Sequence, residues 1–192
     1  MKKPKELCVP QAAFVTLARK YAIEVHAKIN QMYGDKPYTY HLDCVHNRVT
    51  EFRDDLIDYI VKETYDEPDY VVPVVEAAAF LHDSMEDAHQ TWNDIKGRMD
   101  NEDVANVVLF VSSPHGKDRV VKTLLSCAKI REDYRAIYLK LCDRYANSYE
   151  SKATGNSMFK KNKSEYPILK YALQKPGMFP ILWKALDELY YK

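Results

Sequence analysis

The sequence predicts an all-α protein of about eight or nine helices in one continuous domain, and three observations carry that prediction. Apolar residues recur at three- and four-residue intervals through most of the chain, the period of a helix with one buried face. Only 5 of the 192 residues are glycine, too few for the tight turns of a many-stranded β protein. The breaks between periodic stretches fall at Gly, Pro, Asp and Asn clusters, which end helices. A chain of this length with 46% hydrophobic residues buries roughly 70% of its unfolded surface and needs no disulfide or metal merely to fold.

Phe14, Leu17, Ala18, Tyr21, Ala22, Val25 and Ile29 place a first helix from Gln11 to about Met32, broken by Gly34-Asp35-Lys36-Pro37. Phe52, Leu56, Tyr59 and Ile60 carry a second from about Tyr40 to Glu63, closed by the polar run Asp66-Glu67-Pro68-Asp69. Pro73 suits the first turn of a third helix, which runs through Ala77-Ala78-Ala79-Phe80-Leu81 to His82 and Asp83. Thr91, with Asp94 three residues on, resembles a capping box opening a short helix to Met99. Val104 to Val111 is apolar enough for a buried helix or strand, the helix-rich surroundings favouring helix, Ser112 to Gly116 reads as a loop, and Arg119 to Ile130 as a helix. Ile137, Leu141 and Tyr145 mark another over Tyr134 to Tyr149, followed by an Ala153 to Ser157 linker and helices over Ser164 to Gln174 and Phe179 to Tyr190.

Composition narrows the function. Twenty-eight basic residues against 28 acidic ones give no net charge, which argues against a nucleic-acid partner. Neither GxGxxG nor GxxxxGK[ST] occurs, so dinucleotide and P-loop sites lack sequence support. Cys8, Cys44, Cys127 and Cys142 form no CxxC pair, and Met1 to Glu6 lacks the apolar run of a signal peptide. Val71 to Leu81, the densest apolar stretch, is too short to span a bilayer. The expectation is a cytoplasmic protein with reduced thiols and no membrane partner.

The residues with chemistry in them lie in three places. In His82-Asp83-Ser84-Met85-Glu86-Asp87, helical spacing puts His82 beside Glu86 and Asp83 beside Asp87. An imidazole next to a carboxylate suits Mn²⁺, Fe²⁺ or Zn²⁺, and two further carboxylates can orient a water or carry its proton; the plain alternative is a solvated acidic helix end. His41 opens a helix, where a capping or core role is the alternative. Asp143 sits in an apolar helix with Asn147 one turn on, and an ion pair with Lys140 or Arg144 would also account for it. Taken together, two His and two Asp from three helices make a single-metal site with positions left for water.

These pieces in order, Pro37-Tyr38-Thr39-Tyr40-His41, Ala78 to Asp87, Lys140-Leu141-Cys142-Asp143-Arg144-Tyr145-Ala146-Asn147 and Glu165-Tyr166, resemble the HD superfamily of metal phosphohydrolases. More narrowly they resemble the hydrolase domain of RelA/SpoT proteins and its small single-domain alarmone-hydrolase relatives, over about Ala18 to Leu173. The resemblance implies an HD-domain helical bundle with His41, His82, Asp83 and Asp143 as ligands of Mn²⁺ or another divalent metal. It implies Glu86 and Asp87 as the pair that activates the attacking water, Asn147 and Tyr166 at the nucleotide, and Lys161 and Lys163 near phosphates. The implied reaction is hydrolysis of the 3′-pyrophosphate of (p)ppGpp by a metal-activated water. The open alternatives are another phosphorylated nucleotide and a non-catalytic nucleotide-binding regulator.

The sequence also departs from that pattern. Glu24 stands where relatives carry a base-contacting cation, Leu42 follows His41 in place of proline, and Ser112-Ser113 and then His115 replace a threonine-lysine pair, so that one phosphate contact is either lost or taken by Lys117. The segment 52–70 is extra. It reads as a solvated helix with Asp54, Asp55 and Asp58 on its outer face, a lid or a contact in a homo-oligomer being the functional alternatives. His46 is expected off the metal face and Cys44 in ordinary packing.

Overall fold

A computed structural model describes residues 5–113 and 118–192; His115 and Lys117, named above, lie outside the described residues. The protein is all-α, with ten helices and one two-stranded ribbon among the described residues. No helix among them is long and apolar enough to cross a membrane, and all four cysteines are free thiols.

α1 (Gln11–Lys28) ends earlier than the apolar period suggests, because Asn30 takes a left-handed conformation at φ 51 and turns the chain. A short antiparallel ribbon follows, β1 (Met32–Tyr33) and β2 (Lys36–Pro37), joined by a two-residue turn with Gly34 at φ 65. A positive φ there is strained for any residue with a Cβ. The stretch from Tyr40 to Glu63 is two helices, α2 (Thr39–Glu51) and α3 (Arg53–Glu63), parted at Phe52. Phe52 is buried edge-on against Tyr145, 5.5 Å between ring centroids, and the bend lets the faces of both helices reach the core.

α4 (Pro68–Leu81) starts at Pro68, the favoured first-turn proline, and not near Pro73. Pro73 lies in the second turn, where it withholds a ladder N–H from the Asp69 carbonyl. Residues 71 to 81 of α4 are all buried, enclosed by α1, α2, α3, α6 (Glu102–Val111) and α8 (Tyr134–Ala153). α5 (Trp92–Met99) opens with the capping box the sequence promised, Thr91 and Asp94 exchanging both hydrogen bonds. α7 (Arg119–Ile130) and α9 (Met158–Leu173) pack on one another and on α8. α9 begins well before Ser164 and carries Pro167 inside it. α10 (Pro180–Tyr191) closes the bundle.

The extra segment is not a solvated helix. Leu56 and Ile60 of α3 are fully buried, and Asp55, expected on an outer face, is 4% exposed. Its Oδ2 accepts the backbone N–H of Leu182 at 2.9 Å. α10 has no side-chain cap of its own, so α3 supplies one from 127 residues away. Burial raises the Asp55 carboxyl above its ordinary pKa, and the backbone N–H groups of Leu182 and Ile181 pull it back down. Replacing a helix-capping carboxylate by Ala typically costs about 1–2 kcal/mol. Asp55→Ala should lower the free energy of urea unfolding by that amount, with Asp55→Asn losing less; an unchanged midpoint for Asp55→Ala would show that the cap contributes nothing.

Candidate metal centre

α4 ends at Leu81, and residues 82–87 form consecutive turns rather than a further helical turn. The expected helical face shared by His82 and Glu86 is therefore absent. What the turn does instead is aim His82 and Asp83 at α2 and α8. Asp87 donates its backbone N–H to the Asp83 carbonyl at 2.9 Å, which closes the segment.

His41 in the first turn of α2, His82 and Asp143 in mid-α8 offer ligand atoms all within 4.8 Å of one another. His41 Nε2 is 3.3 Å from His82 Nε2 and 3.6 Å from Asp143 Oδ1, and His82 Nε2 is 3.7 Å from Asp143 Oδ1. Asp83 Oδ2 joins them at 3.4 Å from His41 Nε2 and 2.9 Å from His82 Nε2. Ligands bound at about 2.1 Å stand about 3.0 Å apart at right angles and about 3.4 Å apart at a tetrahedral angle. The separations run from 2.9 to 3.7 Å, close to that spacing, and imidazole nitrogens with carboxylate oxygens suit a borderline divalent cation.

The surrounding groups orient the ligands. His82 Nδ1 lies 2.8 Å from the Ala79 carbonyl, which fixes the proton on Nδ1 and leaves Nε2 to face the cluster. Tyr33 stacks on His41 at 4.9 Å and 13°. The Tyr38 hydroxyl donates to Asp83 Oδ2 at 2.5 Å. On α8 the helical stripe Lys140, Asp143, Asn147 does the rest: Asn147 donates to Asp143 Oδ1 at 2.6 Å and Lys140 to Oδ2 at 2.8 Å. The ion pair proposed as the plain reading of Asp143 and the ligand position thus coexist on its two oxygens.

Both imidazoles are 3% exposed and the Asp83 side chain 18%, so Asp83 is the more open side of the group. Burial pulls the His82 imidazole down, but Asp83 and Asp143 outweigh it and hold it up at about 9. Burial likewise pushes both carboxyls up, and is overcome at Asp83 chiefly by His82 and at Asp143 chiefly by Lys140, so both lie below their ordinary value. Burial and Asp83 push the Tyr38 phenol far up, keeping it a donor.

The remaining expected residues divide. Asp87 is partly exposed and accepts from Gln31 Nε2 at 2.7 Å. Glu86 is partly exposed and faces Lys122 of α7, with Nζ 3.4 Å from Oε1. Asn147 borders a cleft of about 360 Å³ together with Tyr33, Lys36, Tyr40 and Glu150. Tyr166 does not line that cleft: it is fully buried, packed on Tyr190 and Trp183 with its hydroxyl on Asp187 at 2.7 Å. Lys161 and Lys163 are exposed on α9, the latter over the Tyr191 ring at 5.8 Å. Glu24 is on the outside of α1, paired with Lys28 at 3.0 Å and Arg98 at 3.4 Å. His46 stacks on Phe80 away from the centre, as expected. Sequence reasoning gave no role to Tyr33, Tyr38 or Gln31. Tyr38 stood inside the motif that contains His41, whereas the other two reach the centre only through the ribbon.

Protons and a cation compete for His82 Nε2, so affinity for Mn²⁺ should rise with pH until that proton is gone near pH 9. Calorimetric titration in buffers of different ionisation enthalpy should show proton release falling to none above that pH. In the metal-free protein the raised imidazole contributes its stability fully below about pH 6.5 and loses it as pH climbs through about 9. A pH-independent affinity over this window would remove His82 from the ligand set, and Asp143→Ala should abolish binding outright.

No protein-family model matches the chain, and no curated protein matches it.

Proposed function

We propose that this chain is a divalent-metal phosphohydrolase of small nucleotides, with the 3′-pyrophosphate of (p)ppGpp as the first substrate to test. The observation that supports it is the grouping of His41, His82 and Asp143, from α2, the turn after α4, and α8, with ligand atoms within 4.8 Å of one another and Asp83 Oδ2 beside both imidazoles. When bound, the ion would supply Lewis acidity to a phosphoryl oxygen and to water. The protein's own groups do the remaining work. Asp87, held through Oδ2 by Gln31, has Oδ1 to accept a proton from the attacking water. Glu86 is its neighbour on the more open side, and its pairing with Lys122 lets a lysine accompany an anionic substrate toward the centre. Lys140 and Asn147 hold the Asp143 carboxylate so that it keeps its orientation when substrate displaces water.

The cleft beside Asn147 supports the nucleotide part of the reading. Its volume of about 360 Å³ falls in the range of small-molecule sites. Tyr33 and Tyr40 offer ring faces to a base, and Lys36 sits 3.5 Å from the Tyr40 ring centroid at the same wall. A second reading keeps the chemistry and changes the nucleotide. It is favoured by the burial of Tyr166 and the pairing of Glu24 with Lys28 and Arg98, which take two expected base contacts out of play.

Phosphate release with Mn²⁺ across a panel of nucleotides, including ppGpp and its adenine analogue, tests both readings. Asp87→Asn should keep the fold and Mn²⁺ binding while slowing hydrolysis by about 10²–10⁴, the usual contribution of a general acid–base group, and Glu86→Gln, which loosens only the pairing with Lys122, should cost less. Wild-type protein that binds Mn²⁺ and nucleotide but hydrolyses none of the panel would make it a nucleotide-binding regulator instead.

A further inference from the structure

We propose that His26 and Gln31 form a positioning pair that holds Asp87, and that His26 does so as a neutral imidazole with its proton on Nδ1. What Asp87 does for a substrate rests on the phosphohydrolase reading; the arrangement of the three side chains does not.

His26 lies in the last turn of α1 and is 1% exposed. The left-handed Asn30 folds the chain back, so that the Gln31 backbone N–H donates to the His26 carbonyl at 3.2 Å. This brings the two side chains together, with His26 Nδ1 2.6 Å from Gln31 Oε1. The other end of the same amide meets Asp87, Gln31 Nε2 standing 2.7 Å from Oδ2.

The direction of every hydrogen bond follows from the carboxylate. A carboxylate only accepts, so the Gln31 group facing Asp87 is the NH₂. The amide oxygen must then face His26, and Nδ1 must carry a proton to donate to it. His26 Nε2 is independent support: it is buried with no partner. A buried unpaired N–H is rarer and costlier than an unmet acceptor, which places a lone pair there. Burial lowers the His26 pKa from its ordinary value and keeps the ring neutral. The ring plane is held by Tyr38, 4.8 Å away between centroids, whose hydroxyl binds Asp83.

One imidazole therefore fixes which way the Gln31 amide points, and that amide fixes one oxygen of Asp87. A flipped amide would set oxygen against oxygen and push the carboxylate out of place. His26 acts on Asp87 only through the Gln31 amide, so its part is positioning.

The test uses the two amides that imitate different edges of a histidine. His26→Asn presents an N–H near the Nδ1 position; His26→Gln presents it near Nε2. In ¹⁵N spectra of the full chain, the wild type should show His26 protonated at Nδ1 and bare at Nε2, with the Gln31 side-chain NH₂ protected from solvent exchange. That protection should persist in His26→Asn and vanish in His26→Gln and His26→Ala. Loss of an outer hydrogen-bond partner of this kind typically costs 10- to 100-fold, so kcat on any substrate found should fall by about that factor in the Gln and Ala variants, with KM unmoved. The Asn variant should restore kcat to within about threefold of wild type. A proton on Nε2 in the wild type, or equal Gln31 protection in the Asn and Gln variants, overturns the proposal. Should the His26 variants not fold, Gln31→Met removes both hydrogen bonds without altering α1. It should shift the Asp87 carboxyl ¹³C resonance, and an unmoved resonance overturns the proposal. A wild type that hydrolyses nothing defeats the phosphohydrolase reading, while the spectra still decide the proposal on His26.

Discussion

Because α4 presents no face to water beyond its first turn, its neighbours have to enclose it, and that requirement organises the molecule. Its buried run from Val71 to Leu81 is met by α1, α2, α3, α6 and α8. Apolar burial at roughly 25 cal/mol per Å² makes any other placement of this helix costly. The three alanines 77–79 add no bulk, so the helices on either side approach closely. With the axis and rotation of α4 set in this way, the point where its last turn ends is set too, and His82 and Asp83 emerge there. The centre is thus located by the hydrophobic effect before any of its own interactions are counted.

What those interactions then do is make a concentration of buried charge tolerable. Two carboxylates and two imidazoles this far from solvent would be costly without partners. Three of the four are held from outside the cluster: Asp83 by Tyr38, Asp143 by Lys140 and Asn147, and His82 by the Ala79 carbonyl. The proton kept on His82 up to about pH 9 balances part of the negative charge in the metal-free protein. A divalent cation would do the same more completely, and the same partners that stabilise the protonated cluster would orient its ligands.

The helices were legible because they depend on local spacing, whereas His41, His82, Asp83 and Asp143 were legible as an order of motifs and not as a geometry. The apolar period located α4, and the i, i+4 relation between Asp143 and Asn147 is a hydrogen bond in the structure. Elements set by distant contacts were not legible. Nothing near Phe52 announces that α2 and α3 part there, since the cause is its burial against Tyr145 in α8. Asp55 reads locally as one of several surface aspartates and becomes a buried cap only through Leu182. Glu86 was placed on a helix face because the period continues past Leu81, whereas the chain leaves the helix there. Gln31 and Tyr33 carry no motif at all. They reach the centre because Asn30 and Gly34 accept positive φ and fold the ribbon back onto it.

The cap that Asp55 provides to α10 bears on how such a chain is made. During synthesis, α3 leaves the ribosome long before Leu182 is joined to the chain. Until then a carboxylate destined for the interior has no N–H to accept from, so the surface that will receive α10 stays hydrated. The α3 end of the core can therefore be sealed only once α10 has been made. Contacts with so great a separation in sequence are slow to form, and this one makes docking of the last helix a closing step for a region laid down among the first.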